Sequence, residues 1–310
     1  MKYYLPADYD DFQCLKGACR HTCCAGWEID VDEDTARLYE ELPGPAGELA
    51  RASLYRNGDT LSFRLDESGR CPMLREDGLC SLICAFGEDA LCNICADHPR
   101  YRSFFSDRVE TGLGLCCEAA ARQTVYRKTP YRLVLVEDDG EEAPLTEAEQ
   151  EVLSMRARFA DILERDALSY ERKEAETESL LPPFSRPSCR DAAAFLQGLE
   201  RLDPAWDERL QILSAGGRAH PASPSRDRAL SQLAVSFLYR HLPGAAEDGQ
   251  PAVRTVFALW AVRLIGAITE TDSLDDLAES ARMFSAEIEY SEENLAACLA
   301  YVKTWFIAEW

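Results

Sequence analysis

The second half of the chain carries apolar residues at the spacing of buried helix faces. Between Val152 and Leu163 they recur every three or four positions, and Thr146 and Glu149 just before them have the spacing of a capping box. This pattern predicts an amphipathic helix that begins after Thr146. The same reasoning predicts further helices at residues 191–199, 204–213, 229–242, 253–268 and 274–284, and a last helix capped by Ser291.

The first half has short alternating segments separated by turns. Alternation of polar and apolar residues predicts strands at residues 28–32, 61–65, 110–115 and 132–136. A short helix capped by either Asp32 or Asp34 is expected next, ended by Pro43-Gly44-Pro45. An acidic turn at 137–142 closes this part of the chain. The prediction is a mainly α fold: a small cysteine-rich α+β N-terminal region with few short strands (1–140) and a helical C-terminal body (141–310).

Charge and hydropathy narrow the classes of partner. The chain has 33 basic and 55 acidic residues, a net charge of −22, and would repel a phosphate backbone. Its acidic surface suits either a cationic partner or simple solubility. The most apolar window, 252–268, is too short and too charged to cross a bilayer and predicts a buried helix. The N-terminus lacks the apolar run of a signal peptide. We therefore expect a cytoplasmic protein without nucleic-acid or membrane partners.

Cysteine has the most uneven distribution of any residue type. Eleven of the 13 cysteines precede Glu118, and four of them fall within residues 14–24. In a reducing compartment clustered cysteines are more often ligands or catalysts than disulfides, and an odd number cannot pair completely. The N-terminal region is therefore expected to surround a metal or iron–sulfur site, with structural disulfides and inert buried thiols as the alternatives.

The spacing of the cysteines favours a site assembled from distant segments. Cys92-x2-Cys95 is a good metal knuckle, and Cys71/Cys80, around a predicted turn at 77–78, or Cys19/Cys23 could supply a second pair. The run from Cys14 to Cys24 matches neither the ferredoxin pattern nor that of radical S-adenosylmethionine enzymes. We expect it to complete a site with later cysteines. Thiolate softness and loose spacing favour an iron–sulfur cluster, with zinc as the alternative.

Several of these segments resemble the flagellin lysine-N-methylases, a family of cysteine-cluster proteins. The matching segments are residues 11–27, 71–74, 78–80, 87–95, 98–100, 116–120 and 284–295. One departure is Cys117, which stands where the family has proline, so Cys116 is the matching ligand. The resemblance does not include Cys84, which is treated as a spectator.

The resemblance implies transfer of a methyl group from S-adenosylmethionine to lysines of flagellin, with a bound [4Fe–4S] cluster. The ligand pool it implies is Cys14, Cys19, Cys23, Cys24, Cys71, Cys80, Cys92, Cys95 and Cys116. Arg100 and Glu118, which lie in the matching segments, are the candidate cofactor-binding residues, with Arg100 offsetting the charge of a thiolate-bound cluster.

Methyl transfer to lysine also requires that the amine lose its proton, since its ordinary pKa is about 10.4. Candidate bases are Glu118 and, in the C-terminal segment, Glu287, Glu289 and Tyr290. Two other functions stay open at this point. One is a non-catalytic zinc or iron–sulfur protein with a helical partner-binding domain, and the other is a redox sensor built on Cys23-Cys24 or Cys116-Cys117.

Overall fold

A computed structural model describes residues 1–140 and 143–306. Packing divides the chain into a small unit, residues 13–100, and a large unit formed by residues 1–12 and the chain from Tyr101 onward. This division follows contacts, whereas the boundary predicted at residue 140 follows cysteine content. The end of the predicted acidic turn, residues 141–142, lies outside the described residues.

The structure contains short strands in the N-terminal part and many helices after it, which confirms the mainly α fold with a small strand content. The strands are β1 (Lys2–Pro6), β2 (Leu54–Asn57), β3 (Thr60–Phe63), β4 (Arg100–Phe104), β5 (Arg108–Leu113) and β6 (Leu133–Asp138). The helices are α1 (Glu33–Glu41), α2 (Gly44–Ser53), α3 (Ser81–Phe86), α4 (Asn93–Asp97), α5 (Glu118–Tyr126), α6 (Glu147–Leu163), α7 (Tyr170–Glu178), α8 (Cys189–Gln197), α9 (Trp206–Ser214), α10 (Pro224–His241), α11 (Ala245–Asp248), α12 (Pro251–Ile268), α13 (Leu274–Phe284) and α14 (Glu292–Lys303).

The small unit consists of two antiparallel strands and four short helices. Asp32 caps α1 by accepting a hydrogen bond from the backbone N–H of Thr35 at 2.9 Å, as the sequence predicts. The Pro43-Gly44-Pro45 run does more than end α1. Gly44 begins α2, with Pro45 within its first turn, where a missing N–H costs nothing. Strand β3 pairs with β2 in register Leu54↔Phe63, while the predicted strand at 28–32 makes only an isolated bridge, Asp30↔Ser62.

The large unit has a four-stranded sheet in the order β4-β5-β1-β6. Strand β1 lies in the middle of the sheet, parallel to β5 and antiparallel to β6. This pairing explains why residues 1–12 belong to the large unit. The sequence predicts β5 and β6 within two residues of their ends, but not β1.

Two helices of the large unit begin where the capping residues predict, whereas α10 begins at Pro224, before its predicted start at residue 229, and the sequence does not predict α7. Thr146 and Glu149 form both hydrogen bonds of a capping box at the start of α6, and Ser291 accepts from the N–H of Asn294 at the start of α14. By length and composition helix α12 is long and apolar enough to cross a membrane, so the expectation that this segment is too short and too charged is wrong. In the fold 12 of its 18 residues are buried, which confirms the predicted buried helix.

Candidate metal centre

Five cysteines of the small unit meet in one hydrophobic core. Cys71 and Cys92 are buried in it, and Cys24, Cys80 and Cys95 pack against it. They come from a loop, a turn and two helix N-termini. Cys80 precedes α3, Cys92 precedes α4, and Cys95 lies within α4. The structure thus brings one cysteine of the N-terminal run together with four later ones, the kind of mixed set the sequence predicts.

The N-terminal run is held against the later segment by backbone contacts. The N–H of Cys71 donates to the carbonyl of Cys24 at 2.8 Å. Gly17 lies so close to the turn at Gly78 that an added Cβ would sit 2.5 Å from the carbonyl oxygen of Asp77. Gly78 itself has φ +76°, a conformation that favours glycine. Glycines at both positions therefore allow the two segments to approach closely.

Backbone N–H groups already point at three of the five sulfurs. The sulfur of Cys71 accepts from Met73, that of Cys80 from Leu82 and Ile83, and that of Cys92 from Cys95. Hydrogen bonds of this kind stabilise a thiolate and orient it as a ligand. These hydrogen bonds favour the thiolate, but burial outweighs them at Cys71 and Cys80, whose pKa values are raised, and only the pKa of Cys92 is lowered.

The thiols differ in acidity because they bond to one another. A hydrogen bond from Cys23 lowers the pKa of Cys24 to about 7 against the cost of burial. The hydrogen bond between Cys92 and Cys95 lowers the pKa of Cys92 and raises the pKa of Cys95. Burial raises the pKa of Cys71 to about 12. Metal binding would release these protons, since thiolates are the ligands.

Asp32 connects α1 to the Cys92–Cys95 knuckle, which the sequence alone does not reveal. Besides capping α1, its carboxylate accepts a hydrogen bond from the N–H of Asn93 at 3.0 Å. Although burial acts to raise it, the pKa of Asp32 is lowered by these backbone hydrogen bonds from Asn93 and Thr35. One ionised side chain thus fixes the first turn of α4, where Cys92 and Cys95 lie.

The remaining N-terminal cysteines lie at the periphery of the small unit. Cys14 and Cys23 are exposed, and Cys19 is half-buried, its thiol 3.3 Å from the carbonyl of His21. The indole of Trp27 donates to the carbonyl of Cys23 at 2.6 Å, and its ring lies 5.9 Å from that of His98. Arg100 donates to the carbonyl of Ala96 at 3.2 Å, at the C-terminal end of α4.

As arranged here, the five thiols are neighbours without forming a ligand set. Within residues 1–140 and 143–306, no three His, Cys, Asp or Glu side chains are positioned to hold a metal ion. Cys84 is exposed on α3, and a spectator role for it stays a prediction.

Cys116 belongs to the large unit, where it lies beside the C-terminal signature. Its thiol is hydrogen-bonded to Tyr290, and burial raises its pKa to about 12. Glu118 is buried two residues later, at the start of α5. The signature itself contains a five-residue π-helix, Ser285–Glu289, a rare element that often marks functional sites.

The acids of this π-helix have structural partners. Glu287 accepts hydrogen bonds from the backbone N–H groups of Leu202 and Asp203 at 3.1 and 2.5 Å. Glu289 is 1% exposed and contacts Arg240 at 3.0 Å and His241 at 2.6 Å. Although burial acts to raise it, these partners lower the pKa of Glu289 to about 2. Glu289 is therefore a fixed negative charge, and a role as base for either acid stays a prediction.

Comparison with known proteins agrees with the motifs. The chain is 28% identical over 159 residues to a lysine-N-methylase of Salmonella choleraesuis, and 27% identical over the same length to one of Salmonella typhimurium. It is 30% identical over 118 residues to the flagellar biosynthetic protein FliU of Salmonella muenchen, and the match covers 70% of that protein. The chain belongs to the flagellin lysine-N-methylase family.

The extent of these matches limits what is transferred from the family. Each methylase match covers 48% of this chain and 40% of the relative, so the chain spans well under half the length of those proteins in the matched region. No family model matches the chain, and no solved structure does. The activity therefore has to follow from the chemistry of the site itself.

Proposed function

We propose that the protein is an S-adenosylmethionine-dependent lysine N-methyltransferase that carries a [4Fe–4S] cluster and acts on flagellin. The family relationship supports methylation of lysine, since two relatives are named lysine-N-methylases and a third is a flagellar biosynthetic protein. The observation that carries the cluster is the core of five cysteines in the small unit.

The residues of this core fit an iron–sulfur cluster by their chemistry. Four thiolates are the usual ligands of a [4Fe–4S] cluster, and five thiols are available: Cys24, Cys71, Cys80, Cys92 and Cys95. Three of the sulfurs accept backbone N–H bonds, which also offset the negative charge of a cluster. Zinc would accept four of the same thiolates, so the identity of the metal is decided by measurement.

When bound, the cluster supplies thiolate-ligated iron for binding or electron transfer. The protein residues hold and shield it. Asp32 fixes the turn that carries Cys92 and Cys95, and the rings of Trp27 and His98 lie against the N-terminal run. The acidic chain, with net charge −22, attracts both the sulfonium of the methyl donor and the substrate ammonium.

The substrate amine must be neutral when it attacks the methyl group. Glu287 and Glu289 are occupied by hydrogen bonds and ion pairing, and burial raises the pKa of Tyr290. We therefore assign the loss of the proton to desolvation of the amine on binding, because burial disfavours the charged ammonium. Glu118 stays a candidate base.

The test is anaerobic purification of the full chain with iron, sulfide and zinc quantified together. We expect about four iron and four sulfide per chain, calorimetric binding of S-adenosylmethionine, and transfer of labelled methyl groups to flagellin. The double variant Cys92→Ala/Cys95→Ala leaves three of the five thiols and should lose the cluster and the activity. Cys84→Ala is the matched control, since Cys84 lies on the surface of the same unit and should retain both.

Three results would contradict parts of this proposal. Zinc without iron would favour a non-catalytic zinc protein. A cluster-loaded protein that binds no S-adenosylmethionine would exclude the methyltransferase. Methyl transfer to other lysine-bearing proteins but not to flagellin would exclude flagellin as the substrate and would leave the proposed methyltransferase activity standing.

A further inference from the structure

Tyr39 presents a buried polar group that the fold leaves without a partner. Its side chain on α1 is 0% exposed, and its ring stacks on Phe63 at a centroid distance of 5.8 Å. The backbone carbonyl of Tyr39 accepts from Arg51 at 2.6 Å, but the phenolic oxygen has no hydrogen-bond partner, sulfur included. Buried hydroxyls are nearly always hydrogen-bonded, so this one requires an explanation.

Tyr39 is buried in the same hydrophobic core as Cys71 and Cys92, and Cys80 and Cys95 pack against that core. The ionisable group that acts on it most strongly is Cys92, followed by Cys95, Cys80 and Asp32. The carboxylate of Asp32 is already engaged with Thr35 and Asn93. The available acceptors near the hydroxyl are therefore the sulfurs of the cysteine core.

We propose that the Tyr39 hydroxyl donates a hydrogen bond to a sulfur of the metal centre held by this core, either a cysteine thiolate or an inorganic sulfide. This inference rests on the metal centre of the proposed function. A donor aimed at sulfur offsets negative charge, so it raises the reduction potential of an iron–sulfur cluster and strengthens its retention. Tyr39 is in this account a positioning and tuning residue.

The proposal has a thermodynamic consequence that distinguishes it from ordinary packing. In the metal-free protein the hydroxyl is buried and unpaired, so its removal should cost nothing or be slightly stabilising. In the loaded protein the same change removes a bond to a charged acceptor. Tyr39→Phe should therefore destabilise the metal-loaded protein, whereas the stability of the metal-free protein should be unchanged or slightly higher.

Tyr39→Phe in the full chain is the test, because phenylalanine keeps the ring against Phe63. We expect unchanged iron and sulfide per chain, a more negative reduction potential, and iron loss to a chelator at least about tenfold faster, the size of one hydrogen bond to a charged group. The thermal midpoint of the metal-free protein should be unchanged or higher.

Tyr170→Phe is the matched control. Its hydroxyl is also buried without a partner, but it lies in the large unit, where Glu174 and Arg263 are the charged groups that act on it most strongly. This variant should leave the potential and the rate of iron loss at their wild-type values.

Equal potentials and equal iron loss in wild-type and Tyr39→Phe would overturn the proposal. So would an equal destabilisation of the metal-free and loaded forms, because the hydroxyl would then be bound within the fold itself. Methyl transfer by the wild-type protein is measured in parallel. A shifted reduction potential without any methyl transfer would support the proposed hydrogen bond of Tyr39 and would overturn the methyltransferase function. If the centre holds zinc, the chelator rates alone decide the proposal. A wild-type protein that binds no metal would overturn both the metal centre and the role of Tyr39.

Discussion

The hydrophobic cores of the two units differ in size and in composition. In the described residues, the core of the large unit contains 43 buried hydrophobic residues, many of them on helix α12, where 12 of the 18 residues are buried. The core of the small unit contains ten, and two of these are Cys71 and Cys92. A unit of 88 residues with so small an apolar core gains little from burial alone. Burial of hydrocarbon therefore accounts for more of the stability of the large unit, and we propose that the metal centre would supply what the small unit lacks.

The same contrast appears among the buried polar groups. In the large unit buried charges lie in ion pairs, such as Glu110–Arg156 and Glu289–Arg240. In the small unit the buried polar groups around Tyr39 are thiols, and its own hydroxyl has no acceptor. Unpaired buried polar atoms also occur in the large unit, at Tyr170 and Trp305 for example, so the contrast lies in the neighbours of the unpaired group. Charged residues act on the hydroxyl of Tyr170, whereas thiols act on that of Tyr39.

The strongest test of this contrast is removal of the metal. Anaerobic chelation should destabilise residues 13–100 and leave the large unit folded, because metal-binding free energy is folding free energy for a small unit with few apolar contacts. Amide hydrogen exchange would show lost protection in α1 and α4, with α12 unchanged. Equal loss in both units, or in neither, would contradict the contrast.

Removal of a buried ion pair in the large unit should lower the free energy of unfolding equally with and without metal. Arg156 makes two hydrogen bonds to Glu110, at 2.6 and 2.8 Å, and its guanidinium lies 4.1 Å from the ring centroid of Tyr239. Arg156→Ala leaves a buried carboxylate unpaired and should cost about 3–5 kcal/mol. Urea unfolding followed by circular dichroism measures this, in the presence and absence of metal.

The control for Arg156 is Arg165→Ala, which removes an exposed pair with Glu176 and should cost about 0–1 kcal/mol. The double variant Glu110→Leu/Arg156→Met should recover most of the lost stability, because it leaves no charge unpaired. A loss that depends on metal would mean that the two units are not independent.

Local signals predicted the large unit better than the small one. The starts of α6 and α14 follow from Thr146 and Ser291, since a cap is a contact within three residues. Strand β1 was missed because its partners, β5 and β6, lie more than 100 residues later. From the sequence, Gly44 and Pro45 predict only the end of α1, because the same residues that break one helix can begin the next.

The residues of the candidate site likewise include some that sequence spacing predicts and others whose role depends on distant contacts. Cysteine spacing predicted that the N-terminal run joins later cysteines, and the fold places Cys24 with four of them. Asp32 was predicted only as a helix cap, because its bond to Asn93 spans 61 residues. The unpaired hydroxyl of Tyr39 is a property of packing, which no spacing in the sequence encodes.

The ion pair at Glu289 gives the large unit a pH dependence. Its pKa falls from an ordinary 4.5 to about 2 on folding, so the carboxylate contributes about 3 kcal/mol above pH 4.5, and this stability is lost as the pH falls toward 2. The difference in unfolding free energy between wild-type and Glu289→Gln should therefore shrink by about 3 kcal/mol between pH 5 and pH 2. Parallel pH curves for the two proteins would show that Glu289 is not held ionised by Arg240 and His241.

Removal of the Asp32 carboxylate should lower stability less than the changes at Arg156 and Glu289. Its effect reports on the small unit. Asp32→Ala removes the cap of α1 and the acceptor for Asn93, which should cost about 1–2 kcal/mol in the metal-free protein. Because Cys92 and Cys95 lie in the turn that Asp32 fixes, metal affinity should fall by about 10–100-fold, as for other residues that orient ligands. Competition with a chelator measures the affinity. Asp34→Ala is the control, since its carboxylate is 90% exposed and pairs only with Arg37 among the contacts described for it. If both variants bound metal as the wild-type does, the knuckle would be positioned by its own thiols, and the small unit would owe its geometry to the metal alone.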